Sequence, residues 1–184
     1  MSVTINGNGT ITGYTPATIS GTLSGSNMPS GSIIQTVVGT NGYKTTAGPD
    51  LTGSVTSPTI LDSDCTVTIT PIFSNSKICI IWSAQIRVGS NGKGFVGVYY
   101  SANSNMSSPT VIEKSRGSNN SLNETYRING SQNDWSSWSR VAWDETVSNT
   151  NTRYYNVGGW ADNGNIYYGD NGLALQIMAQ EIKA

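Results

Sequence analysis

Histidine is absent from this chain, and charge is scarce: ten Lys and Arg face eleven Asp and Glu, together 11% of 184 residues. Without histidine the usual nucleophilic triads lose their base, and the commonest metal ligand is gone. A near-neutral balance of −1 leaves no basic footprint for nucleic acid. Two cysteines cannot build a disulfide framework. No apolar run approaches the length of a membrane span. The opening Met1–Asn6 has neither a basic n-region nor an apolar h-region, so no secretory leader is expected. The glycine-rich stretches match neither a Walker motif nor GxGxxG ahead of a helix. The acids lie chiefly in turns and show no spacing that would flank a glycosidase cleft. No enzymatic activity, cofactor or resident metal is expected.

What is abundant is Ser, Thr, Asn and Gly, roughly half the chain, interrupted by short apolar runs and five tryptophans. That pattern reads as an all-β protein with polar turns rather than as a disordered chain. Residues 64–88 carry the clearest signal. Cys65, Val67, Ile69 and Pro71 alternate with threonines, and Ile78, Ile80, Trp82, Ala84, Ile86 and Val88 alternate with Cys79, Ile81, Ser83, Gln85 and Arg87. Period-two alternation marks half-buried strands. A two-residue turn at Ser74-Asn75 predicts a hairpin with Ile69 opposite Ile80, Val67 opposite Trp82 and Cys65 opposite Ala84. In that register the cysteines point to opposite faces, which argues against a bridge between them.

Further strands are expected at sandwich-like spacing over 33–38, 55–61, 94–102, 111–112, 135–143, 152–157, 166–168 and 173–182. This makes residues 31–184 an antiparallel β-sandwich domain. Residues 1–30 differ. Val3-Thr4-Ile5 and Thr10-Ile11-Thr12 flank Asn6-Gly7-Asn8-Gly9, a strong hairpin signal. A lone two-stranded hairpin is marginal in water, so an arm carrying Val3, Ile5, Ile11 and Tyr14 is expected to dock on something. Cys79 and Ile81 are apolar on the nominal outer face of their strand, and Met178 and Ile182 repeat the pattern in the last one. Strands apolar on both sides are covered on both sides, which points to oligomerisation through these residues and the arm.

The pieces also form a resemblance. Met1-Ser2-Val3-Thr4-Ile5-Asn6-Gly7-Asn8-Gly9-Thr10-Ile11-Thr12-Gly13 resembles the N-terminus of tail-fibre-like virion proteins of tailed phages, especially aquatic ones. Gly31-Ser32-Ile33-Ile34-Gln35-Thr36-Val37 resembles the strand that opens their C-terminal β-domain. The Thr-Pro-Ile-Phe-Ser-Asn-Ser-Lys-Ile run over 70–78 resembles their central hairpin, and Leu173–Ile182 resembles their last strand. The resemblance implies a non-enzymatic, trimeric β-sandwich or jelly roll in a virion, assembled in the host cytoplasm. Its partners would be itself, other virion proteins and host surface glycan, with no nucleic acid and no membrane insertion. Such domains serve at fibre tips, in collars or as capsid decorations. The arm here runs almost directly into Gly31 with no long shaft, which favours a short appendage.

Two local features suggest sites. Trp135-Ser136-Ser137-Trp138-Ser139 matches the WSXWS box of cytokine receptors, but that box belongs to secreted, disulfide-bonded domains and is set aside. If residues 135–143 form a strand, Trp135, Val141 and Trp143 share one face, expected to be core. Trp138 and Arg140 share the other, where they can stack. Saccharides bind flat aromatic faces flanked by amides and carboxylates, so Trp138, Arg140, Trp160, Tyr155 and Tyr167 form the candidate glycan-binding set. The Asp162–Asn165 and Asp170–Gly172 runs read as tight turns. Like Asp62 and Asp64, they do not match a calcium loop.

Overall fold

A computed structural model describes residues 4–5, 11–12, 28–39, 58–88, 93–112, 126–129, 136–162, 166–168 and 175–184. Val3, Tyr14, Trp135 and the expected turns at 6–9, 163–165 and 170–172 lie outside the described residues. β1 (Thr4–Ile5) and β2 (Ile11–Thr12) pair antiparallel, with Ile5 opposite Ile11, as expected of the first hairpin. The remaining strands are β3 (Ile33–Val38), β4 (Thr59–Ile60), β5 (Val67–Ile69), β6 (Lys77–Val88), β7 (Lys93–Ser101), β8 (Thr110–Val111), β9 (Tyr126–Asn129), β10 (Ser136–Asp144), β11 (Arg153–Asp162), β12 (Ile166–Tyr168) and β13 (Gln176–Ile182).

These strands form two antiparallel sheets packed as a β-sandwich. Sheet I runs β10–β6–β13–β3, with β12 pairing β6 beyond the end of β13. Sheet II runs β4–β11–β7–β8, with β5 also on β11 and β9 also on β7. The core between them is the alternation read from the sequence. Cys65, Val67 and Ile69 from one side and Ile78, Ile80, Trp82, Ala84 and Ile86 from the other are all buried. Val96, Val98, Tyr155, Val157, Ile177 and Ala179 join them. Each large side chain withdrawn from water contributes about 1.5–3 kcal/mol.

The expected hairpin is corrected in one respect. The turn falls where the sequence placed it, with the Ser76 amide donating to Phe73 O at 3.3 Å. The two arms, however, enter different sheets. β5 pairs with β11, setting Ile69 opposite Arg153 and Val67 opposite Tyr155, while β6 pairs with β10 and β13. The apolar residues of the arms therefore meet face to face across the sandwich and do not pair edge to edge. Pro71 has no amide to give a ladder, and Ser74-Asn75 is not the Asn-Gly or Asp-Gly pair that closes a tight hairpin. Both cysteines are free and buried, as expected.

The corner between β5 and β6 is held by a buried acid. Glu181, on the inner face of β13, accepts hydrogen bonds from the amides of Ile72 (2.8 Å) and Phe73 (3.0 Å), the Ser76 hydroxyl (2.6 Å) and the Gln35 amide (2.6 Å). A second buried acid serves the crossover from β10 to β11. Asp144 accepts from Arg153 at 2.7 Å, from the Tyr155 hydroxyl at 2.7 Å, and from the amide and hydroxyl of Thr146 at 2.8 and 2.6 Å. Burial first, and then the Asp144 charge, push the Tyr155 phenol far above its usual range, so it stays a donor.

Burial alone would raise the Glu181 carboxyl, but its hydrogen bonds from Ser76, Ile72, Gln35 and Phe73 outweigh burial and hold it below the usual carboxylate value. A depressed folded-state value gives stability that is present above the unfolded value and lost as pH falls through the folded one. Glu181→Gln is expected to cost about 3 kcal/mol at pH 7 in urea unfolding. Its deficit relative to the parent chain should shrink as pH is lowered through the carboxylate range.

Candidate functional site

Sheet I has a second apolar face, turned away from the core. Along β10 the inward positions are Trp138, Arg140, Ala142 and Asp144, and the outward ones are Ser137, Ser139, Val141 and Trp143. This reverses the expected assignment. Trp138 packs against the core opposite the small Ala84, and Ala142 sits opposite the large Ile80. Val141 is 53% exposed and Trp143 is 48% exposed. The inward run ends on Asp144, whose partners Arg153 and Tyr155 are on the other sheet, and this fixes which way the strand faces.

The register then lines up outward residues across the sheet. Val141, Ile81, Met178 and Val38 form one row over four neighbouring strands. The next row is Trp143, Cys79, Gln180 and Thr36, and the one after it brings Lys77, Ile182 and Ile33 into line. Val38 is 66% exposed and Ile33 is 50% exposed, while Cys79 is buried even on this side. Burial pushes the Cys79 thiol up, keeping it un-ionised. On the far side Ser139, Ser83 and Gln176 replace the apolar residues. Formal charge is confined to the margins. Lys77 pairs with Glu145 at 2.7 Å, and Arg87 sits 4.5 Å above the Tyr167 ring.

Two shallow grooves mark this face. One of about 450 Å³ is lined by Val38, Ile81, Ser83, Ser139 and Met178. The other, about 360 Å³, lies over Ser30, Gly31, Trp143, Ile182 and Lys183. A larger cleft of about 740 Å³ opens beside the β10 edge, between Tyr100, Thr110 and Ile112 on one side and Trp143, Asp144 and Glu145 on the other. Monomeric proteins rarely leave a contiguous apolar patch of this kind uncovered.

The residues singled out from sequence divide between core and surface. Cys79, Ile81, Met178 and Ile182 come together on the outer face of sheet I. Ile5 and Ile11 stand opposite one another in β1 and β2. The glycan-binding set is not brought together. Tyr155 is fully buried and offers no ring face to a sugar, and Trp138 and Arg140 lie on the inner side of β10. Trp160 stacks on Phe95 at 4.0 Å between centroids and 9° between planes, on the outside of sheet II. Tyr167 has Arg87 over its ring.

Part of the outside of sheet II is covered by loops. Tyr99 is buried beneath Met106 and Val111. It lies so close to Gly158 that a side-chain carbon there would meet its ring at 3.0 Å. Asn156 donates to Asp62 O at 2.7 Å and the Thr66 hydroxyl at 2.9 Å, tying down the 62–66 loop. Among the described residues no group of three or more acidic or sulfur ligands could hold a metal ion. Sequence reading missed the two acids that hold the corners and the exposure of Val141 and Trp143. Parity would have found Glu181, which continues the inward series Leu175, Ile177, Ala179.

The chain matches no protein-family model, and no curated protein is detectably similar to it.

The stacked pair predicts that Trp160 acts in packing rather than as an open sugar platform. Trp160→Ala should lower the unfolding free energy by about 2 kcal/mol, measured by urea denaturation. An unchanged midpoint would mean that the ring is free for a ligand.

Proposed function

We propose that this chain is a non-enzymatic structural component of a tailed-phage particle: a short homotrimeric appendage, tail-fibre-like or a capsid decoration. It assembles through the outer face of sheet I, and its N-terminal arm anchors it to the particle or to neighbouring subunits. The observation that carries this reading is the row Val141–Ile81–Met178–Val38, an uncharged apolar line across an exposed sheet. Such a row is disadvantageous in water and favourable in an interface core, where charge is depleted and apolar residues concentrate.

Fold topology supports the same reading. Counting β4 with β5, β8 with β9 and β12 with β13 gives eight strand positions in chain order. Their order is 1-8-3-6 in sheet I and 2-7-4-5 in sheet II. That order is compatible with a jelly roll, the double Greek key common in viral capsid and lectin domains, and supports reading the sandwich as one. The resemblance at the arm, the Gly31 strand, the 70–78 turn and the last strand points to the same class of particle protein.

Light scattering on the purified chain should give three times its 19.5 kDa mass. Val141→Asp combined with Met178→Lys should give a folded monomer, since surface substitutions cost little within the subunit, about 0.5 kcal/mol each. A monomeric parent chain would sink the reading.

A second reading, saccharide recognition, is favoured by the half-exposed Trp143 at the rim of the 740 Å³ cleft beside the Glu145 carboxylate. Quenching of tryptophan fluorescence by host-surface polysaccharide, abolished in Trp143→Ala, is its expected signature. No response in the parent chain would leave this tryptophan to assembly alone.

A further inference from the structure

The apolar row needs a cover, and the chain carries a segment that needs a surface. We infer that the row on sheet I is covered by the N-terminal hairpin of a neighbouring copy, so that the subunits are joined by exchanged arms. This rests on the assembly reading above and names what occupies the interface.

The first ground is where the arm is rooted. The Met28 carbonyl accepts from Lys183 Nζ at 2.6 Å, the Gly31 amide donates to Lys183 O at 2.8 Å, and the Lys183 amide donates to Ser32 O at 2.9 Å. Gly31 turns the backbone here at φ +86°, a conformation open chiefly to glycine. These contacts pin the root of the arm to the rim of the groove over Trp143 and Ile182, beside the apolar rows.

The second ground is the hairpin itself. β1 and β2 are two residues each, with Ile5 opposite Ile11. Two strands alone are not stable in water without a surface to pack on. The face and the hairpin also match in character: neither the row of Ile81, nor that of Cys79, nor residues 1–27 carry a formally charged side chain, so docking over those two rows desolvates no side-chain charge.

The third ground is reach. Residues 13–27, fully extended, span at most about 50 Å. The four strands of the face are together only about 14 Å across, so covering its own face would need a small part of that length. A domain of this size is roughly 40 Å in diameter. The spacer is therefore long enough to lay the hairpin on the next subunit.

Two variants of the full chain, each with one added cysteine, test this. Ile11→Cys marks the hairpin, and Val38→Cys marks the solvent-exposed end of the row; the native Cys65 and Cys79 are buried. Each is made in a chain of distinguishable mass, the two are refolded together, and they are treated with a short bismaleimide. The expected result is a mixed-chain product at least tenfold above that from either variant with the parent chain. Absence of that product while light scattering still reports a trimer overturns the exchanged arm and leaves assembly standing. A monomer with no product overturns both. A chain bearing both substitutions that links only within itself shows the arm on its own face, and this too overturns the exchange.

Discussion

The sandwich depends on one buried carboxylate. Where the chain leaves β5 in sheet II and enters β6 in sheet I, the amides of Ile72 and Phe73 have no ladder to join, and leaving such donors dry and unpaired costs about 1–3 kcal/mol each. Glu181 reaches them from β13 and also takes the Ser76 hydroxyl and the Gln35 amide. It thus ties the corner to two strands of sheet I at once. Asp144 does the equivalent for the crossover from β10 to β11. Asp144 and Glu181 both stand opposite Ile78, on its two sides. These two of the chain's passages between the sheets are therefore fastened at the same end of the sandwich, on either side of the first inward residue of β6.

This arrangement explains what sequence reading could and could not reach. The inward faces of residues 65–71 and 78–88 were legible because period two survives whatever the strand pairs with. The pairing was not, because the same alternation suits a hairpin and two sheets facing each other; the choice is made by Pro71 and by an acid more than a hundred residues away in sequence. β10 was ambiguous for a different reason. Each of its faces carries a tryptophan and a further long side chain, so hydropathy cannot orient it. Asp144 marks its inward face, where its carboxylate meets Arg153 and the Tyr155 hydroxyl of the facing sheet, partners that lie far from the strand's own pattern. Tyr99 shows a third limit: it points away from the core, as one member of a Tyr-Tyr pair must, yet a covering loop buries it.

The outer face of sheet I was foreshadowed by Cys79, Ile81, Met178 and Ile182. The structure enlarges it with Val141, Trp143, Val38 and Ile33, residues expected in the core or not singled out at all. The enlargement matters because scattered exposed apolar residues are ordinary, whereas a contiguous set in register is not. The five candidate sugar-binding residues were dispersed instead, two to the inner side of β10, one into the core, one into a stacked pair and one beneath Arg87. The many aromatic rings of this chain had suggested a surface made for sugars. Trp143, the most exposed aromatic side chain among the described residues, belongs instead to the face that carries Val141, Ile81, Met178 and Val38.

Low charge, the first feature of the composition, has a physical consequence at this face. The rows around Ile81 contain no ionic group, and the flanking charges are satisfied locally by the Lys77–Glu145 pair and by Arg87 over Tyr167. Association through such a surface receives little long-range steering, and its rate and affinity depend little on ionic strength. Complementarity has to come from shape and from where the rows end, at the hydroxyls of Ser83 and Ser139 and the amide of Gln176 on one side and the Lys77–Glu145 pair on the other. A neutral, one-directional apolar line also meets no like-charge repulsion when copies of one chain surround it. β6 is central to both faces: its inner residues hold the sandwich together, and in the proposed assembly its outer ones would meet the next subunit.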